Sequence, residues 1–278
     1  PLASLSDVIS KKQNPAILGG NDSVRGISIF AAEPVEVFQF HLNEDKPFEK
    51  LAGALSKYQL PSNKIKGSDT FLGGWIGYFG YELGRFIETL PGKAVDDIEL
   101  PVIRLAFYDK AILYDHQQKT FTLVALEFEN DFVGAEQKFR MLSGWLEEVT
   151  QQSVSIPPRG NMLDVNIDLL MCNMTQREYM GAIDRIKRYI VDGDTYQINF
   201  SQRFEAEFNA RPIDLFRWQN TLNPSPYAAY LAWEDKAIVS ASPELFLQVK
   251  GDTITTKPIK GTRPRNPLLP DEAAPNHR

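Results

Sequence analysis

Stretches that read as β-strand and stretches that read as helix do not alternate along this chain at the spacing of a strand–helix–strand unit. That pattern favours antiparallel sheets over a parallel one. In the first part, short β-rich runs follow one another. Ile27–Ala32 and Val35–Phe40 are parted by Glu33-Pro34, and Val102–Tyr114 and Thr120–Phe128 flank the polar loop Asp115–Lys119 as a hairpin. Helical spacing occurs there twice. Phe48, Leu51, Leu55 and Tyr58 precede Pro61, and Phe132, Phe139, Leu142, Trp145 or Leu146, and Val149 form a second stripe. The expectation is an α+β fold, mostly antiparallel sheets with helices packed outside.

Residues 151–172 change character. Ser153–Gly160 has no apolar period and carries two prolines and a glycine, so it reads as a linker between a region 1–150 and a region 173–278. Thr175 and Glu178 form a capping box. The box predicts a helix that buries Tyr179, Ile183, Ile186 and Ile190 and stops at Asp192-Gly193. Strand-like runs follow at Tyr196–Phe208, Tyr227–Trp233, Ala237–Val249 and Thr253–Ile259, with a short helix over Ile213–Leu222.

Several function classes fall away on chemistry. No apolar run reaches the ~18 residues a membrane span needs. Pro1–Ser10 has neither the basic nor the apolar region of a secretory signal, and the single cysteine, Cys172, fits a reducing cytoplasm. A net charge of −6 with mixed signs along the chain disfavours nucleic-acid binding. His41, His116 and His277 are too dispersed for a zinc site and read as surface imidazoles. Cys172 reads as a quiet, partly buried thiol. The run Gly73–Arg85 lacks the G-x-G-x-x-G pattern of a phosphate loop and reads as a glycine-containing buried strand that enters a turn.

The stretch that carries chemistry runs from Ala237 to Arg265. Ser242-Pro243-Glu244 interrupts an apolar strand, Lys250-Gly251-Asp252 makes a turn, and the chain returns through Thr253–Thr262. Pairing about Gly251 sets Lys260 opposite Ser242-Pro243, one diagonal step from Glu244 and about 7–8 Å from it between backbones. A desolvated lysine can act as a nucleophile, and a nearby glutamate can move a proton. Spacing alone favours a plain ion pair on a sheet, since pairs of this type are common and mostly structural.

Motifs extend the argument. Pro258-Ile259-Lys260-Gly261-Thr262-Arg263-Pro264, Ser242-Pro243-Glu244, Asn223-Pro224-Ser225-Pro226-Tyr227, Gly193–Arg203 and Gly73–Arg85 stand in the order seen in the chorismate-utilising enzymes, and the chain resembles that family over nearly its whole length. The family includes anthranilate synthase component I and aminodeoxychorismate synthase component I, and a lysine before Gly-Thr resembles the latter. The resemblance implies that Lys260 attacks chorismate at C2 and that Glu244 is the general acid/base at the C4 hydroxyl. Gly261 and Thr262 would touch substrate. Ammonia from a glutamine amidotransferase subunit would then give 4-amino-4-deoxychorismate, the folate-pathway precursor of p-aminobenzoate. Asn223, Pro226 and Tyr227 would pack with Ile17–Asn21, Ser23 and Arg25 into a tryptophan pocket in region 1–150, although the Leu-Leu-Glu-Ser signature of feedback-regulated relatives is absent. Region 173–278 would be the first part of the catalytic domain.

The same resemblance places Mg²⁺, its acidic ligands, a glycine-rich loop and most substrate-carboxylate contacts in a further part of the family fold. On that basis this chain alone is expected to be inactive or nearly so, and to self-associate through exposed apolar surface and open strand edges. The alternatives are an anthranilate synthase component I and a non-catalytic tryptophan- or glutaminase-binding protein.

Overall fold

The computed structural model describes residues 2–20, 26–59, 70–91, 95–128, 133–151 and 170–259. In chain order the elements are α1 (Leu2–Ser10), β1 (Ala16–Leu18), β2 (Ile27–Ala31), β3 (Glu36–Phe40), α2 (Pro47–Ser56), β4 (Gly74–Phe79) and a 3₁₀ turn (Tyr81–Phe86). There follow β5 (Ile103–Tyr108), β6 (Lys110–Asp115), β7 (Thr120–Ala125), α3 (Ala135–Gln151), β8 (Met171–Cys172) and α4 (Gln176–Asp192). The last are β9 (Phe204–Glu205), α5 (Pro212–Leu222), β10 (Tyr227–Trp233), β11 (Lys236–Ser242), β12 (Leu245–Lys250) and β13 (Thr253–Lys257). Every strand pair is antiparallel, as the absence of strand–helix alternation predicts.

The layers follow from which strands are apolar on both faces. A six-stranded sheet runs β11-β10-β1-β2-β6-β7, so strands far apart in sequence share one ladder. Along β6, Ile112 and Tyr114 face the core under α1, α3 and α5, and Ala111 and Leu113 face a second core shared with Ile76, Ala106 and Tyr108 of the three-stranded sheet β3-β5-β4. A third cluster, Phe40, Val102, Ile103 and Leu105, packs on the outer side with Leu51 and Phe86. The order is helices, sheet, sheet, then α2 with the 3₁₀ turn.

Some local expectations change. Val102–Tyr114, read as one run, is two strands in different sheets, because both strands are buried on both faces and lose the alternation that would mark their ends. The break falls at Asp109, whose carboxylate meets Lys138 Nζ at 2.7 Å inside the protein. On α3 it is Lys138 that is buried, together with Leu142 and Trp145, and Phe139 turns to solvent. Phe132 and Pro61 lie outside the described residues, as do residues 152–169 of the expected linker. The structure adds a third helix in the first part, α1, whose Leu2, Leu5, Val8 and Ile9 have helical spacing and are all buried. Gly77 meets the expectation of close packing: a Cβ there would overlap the Arg104 carbonyl oxygen on the neighbouring strand.

Candidate functional site

Pro243 ends β11, and Glu244 lies in the two-residue step that carries the chain from the large sheet into the ribbon β12–β13. The expected single strand Ala237–Val249 is therefore two strands, split where Pro243 removes a ladder donor. Gly251 at φ 55° and Asp252 make the turn, and the ribbon's register runs Lys250↔Thr253, Val249↔Ile254, Gln248↔Thr255 and, past a shift, Leu245↔Lys257. Glu244 thus sits one residue before the position that faces Lys257. It is half-buried, and its carbonyl oxygen accepts a hydrogen bond from Ser242 Oγ at 3.4 Å. Lys260, Gly261 and Thr262 lie outside the described residues.

Ser242 pairs with Tyr227, so the β10–β11 ladder brings the Asn223–Tyr227 motif to the same end of the sheet as Glu244. Asn223 closes α5, donating its N–H to the Gln219 carbonyl at 2.8 Å. Ser225 is buried and donates through Oγ to the Asn223 carbonyl, and the Ala228 N–H returns to the Ser225 carbonyl. On the other side of β10 lies β1. Its continuation is held by Gly19 N–H to the Ala228 carbonyl at 2.7 Å and by Asn220 Nδ2 to the Gly19 carbonyl at 3.3 Å. Ile17–Gly19 therefore runs beside Ala228–Tyr230, the stretch of β10 that follows the Asn223–Tyr227 motif, and Asn21–Arg25 lies outside the described residues.

What fixes that corner has no counterpart in any motif or period of the chain. Gly20 N–H donates to Ser28 Oγ at 2.6 Å, and Ser28 Oγ is 2.7 Å from His116 Nε2. His116 is thus half-buried and hydrogen-bonded, not a surface imidazole. A pair eight residues apart on one side and eighty-eight on the other has no sequence period. Gly19 stands at φ 81°, and a Cβ on it would come within 2.5 Å of Ser28 Oγ.

A second gathering of motifs also needed the tertiary structure. Tyr78, Gly80, Tyr81, Glu82 and Arg85 line a cavity of about 290 Å³ together with Arg203 and residues 95–98. Arg203 bonds both Asp97 carboxylate oxygens, at 2.9 and 2.6 Å, and reaches Glu205 at 2.6 Å. The bonds from Arg203 hold the Asp97 carboxyl below its ordinary value.

The remaining candidates resolve simply. Cys172 is exposed, not partly buried, and accepts a hydrogen bond from Gln202 Nε2 at 2.7 Å. Tyr196–Phe208 is mostly irregular, with only β9 as strand. Among the described residues no three His, Cys, Asp or Glu side chains are placed to hold a metal ion, so these residues do not fit a Mg²⁺ site. None of their helices is long and apolar enough to cross a membrane.

Comparison with known proteins adds to this geometry. The family model for chorismate binding enzyme matches residues 14–274. Aminodeoxychorismate synthase component 1 of Escherichia coli (strain K12) is 38% identical over 197 residues, 71% of this chain and 40% of that protein. Anthranilate synthase component 1 of Acetivibrio thermocellus is 29% identical over 236 residues, 83% of this chain and 47% of that protein. The solved anthranilate synthase component I from Streptococcus pneumoniae TIGR4 superposes with a TM-score of 0.64 at 26% identity, covering 83% of this chain and 53% of that one. The chain thus spans about half, or less, of the length of the relatives it matches.

Proposed function

The chain belongs to the chorismate-binding enzyme family, and on that premise we propose that it contributes Lys260 and Glu244 to an aminodeoxychorismate synthase component I. The observation that carries the reading is the register of β12 against β13. It brings the strand that leads to Pro258-Ile259 back alongside Glu244, as a site shared by Glu244 and Lys260 requires. Lys260 Nζ bonds chorismate C2 while the C4 hydroxyl, protonated by Glu244, leaves as water. Ammonia then bonds C4 as the bond between Lys260 and C2 breaks, which divides one hard displacement into two. Gly261 lets the backbone approach the substrate, and Thr262 hydrogen-bonds one of its oxygens.

Region 1–150 is the regulatory part in this reading, residues 151–172 the linker, and 173–278 the opening part of the catalytic domain. Acidic residues elsewhere in the family fold would hold Mg²⁺, which would supply Lewis-acid polarisation of the leaving group. Ammonia comes from a glutamine amidotransferase subunit, the setting is cytoplasmic, and the product serves p-aminobenzoate and folate synthesis. Asn223, Pro226 and Tyr227 face an amino-acid pocket of the tryptophan type, for which the contact of Gly19 with β10 is the support. The similarity to anthranilate synthases supports a second reading, in which the same site releases pyruvate and forms anthranilate.

The test combines this chain with a separate polypeptide carrying the rest of the family fold and supplies chorismate, ammonium and Mg²⁺. Chromatography should show 4-amino-4-deoxychorismate, abolished by Lys260→Ala and reduced by Glu244→Gln. Anthranilate with pyruvate would establish the second reading, and turnover that survives Lys260→Ala would refute the nucleophile.

A further inference from the structure

Two of the five ordered motifs, Gly73–Arg85 and Gly193–Arg203, take no part in the proposed chemistry, and the structure brings them to one seam. The second of them belongs to a unit that closes on itself. Residues 171–205 begin and end in the ladder β8–β9, with Met171 opposite Glu205 and Cys172 opposite Phe204. Inside that ladder the Asn173 N–H donates to the Arg203 carbonyl at 3.2 Å, and the Arg203 N–H donates to Asn173 Oδ1 at 3.0 Å. Gln202 Nε2 donates to Cys172 Sγ at 2.7 Å, and the Phe200 ring lies 5.4 Å from that of Tyr179 on α4. Helix α4 is therefore held in a loop whose two ends are fastened to each other.

The loop is fastened in turn to the first part of the chain. Arg203 bonds both carboxylate oxygens of Asp97, at 2.9 and 2.6 Å, and meets Glu205 at 2.6 Å. An exposed ion pair usually contributes little, because holding two long side chains in one geometry costs entropy. This pair differs in three respects. The Arg203 fork takes Asp97 through two parallel bonds. The Glu205 carboxylate orients the guanidinium from a second side. The Arg203 backbone is already fixed by Asn173, so closing the pair freezes less of the chain. The seam beside it is not filled: Arg203 and residues between Leu42 and Val102 wall a cavity of about 290 Å³. An unfilled seam forgoes dispersion contacts, which leaves the ion pair a larger share of the attachment.

We propose that Asp97 and Arg203 form an ionic latch that seats residues 171–205, and α4 with them, on the first part of the chain, and that opens as salt screens it. The two side chains are 49% and 40% exposed, open enough to solvent for salt to weaken the pair. Opening leaves both sides folded, since neither the β8–β9 ladder nor the β4–β5 ladder runs through the pair.

The chain carries its own probe. Cys172 is its single cysteine and is exposed, so a nitroxide can be placed there alone on the whole protein. Gln202, next to Arg203, contacts Cys172, so in the latched state the label should broaden the amide resonances of residues 80–85 and 95–98. The broadening should fall several-fold as salt rises from about 0.01 M to about 1 M, which shortens the screening length from about 30 Å to about 3 Å. Asp97→Asn should show weak broadening at every salt concentration, with the circular dichroism of the wild type. Arg203→Lys, which keeps the charge and loses the fork, should fall between the two. Broadening that is unchanged in Asp97→Asn overturns the proposal. So does broadening in the wild type that does not respond to salt, a measurement that needs no variant to fold.

Discussion

Asp109 sits where β5 hands over to β6, and its carboxylate is buried between Lys138, whose Nζ also donates to the Leu126 carbonyl at 2.6 Å, and Lys110, whose Nζ donates to the Glu33 carbonyl at 2.8 Å. Removing one partner of such a group strands a charge in the interior. Lys138→Ala should therefore lower stability by about 3–5 kcal/mol, read by urea denaturation, and replacing Asp109 and Lys138 together by Leu and Met should recover much of the loss. Asp7 makes a different prediction. Burial alone would raise its carboxyl, but hydrogen bonds and charge from Lys11 and Arg211 outweigh that and hold it below the ordinary value. The stability it contributes is full above the unfolded-state value of about 3.9 and is lost as pH falls through the lower folded one. Asp7→Asn should be less stable than the wild type at neutral pH, with the two melting curves converging as pH drops below about 4. The sequence offered no sign of either group, since an acidic residue at the end of an apolar run and a lysine in an amphipathic stripe are ordinarily solvated.

The capping box that opens α4 was legible residue by residue. Thr175 Oγ1 accepts from the Glu178 N–H, the Glu178 carboxylate accepts from the Thr175 N–H, and Gly193 at φ 83° closes the helix. What the helix buries was not legible. Tyr179, Ile183, Ile186 and Ile190 form the expected stripe, but none of them is buried; among the described residues the Phe200 ring meets Tyr179. Helix α4 therefore depends on its ends more than a packed helix does. Thr175→Ala should destabilise it by about 1 kcal/mol, seen as several-fold faster amide exchange within α4 and little change in the global melting temperature. The ribbon β12–β13 makes the same point from the strand side: the turn at Gly251-Asp252 was readable from sequence, whereas the shift between Leu245 and Gln248 is a tertiary detail.

At the scale of the molecule, large apolar side chains stand open along α4 and the ribbon, with Val191 at 85%, Phe246 at 86% and Ile254 at 69% exposure. Monomeric soluble proteins seldom leave such side chains grouped at the surface. The chain should therefore bind a hydrophobic dye strongly, and binding should fall when the polypeptide carrying the rest of the family fold is added. A dye signal at the level of an ordinary folded protein would contradict this picture. The sequence by itself determined the antiparallel α+β class, because a missing alternation of helix and strand is a local property. It determined the family as well, because five motifs in order need no coordinates. It also determined the turn at Gly251 and the caps of α4, where one or two residues set the backbone. Only the tertiary structure decided that β10 and β11 join strands from the first part of the chain in one sheet. It likewise decided that His116 and Ser28 fix the Gly19-Gly20 corner, and that Arg203 reaches Asp97. Each of these pairs residues brought together by the folding of distant segments, and no period in the sequence records a contact of that kind.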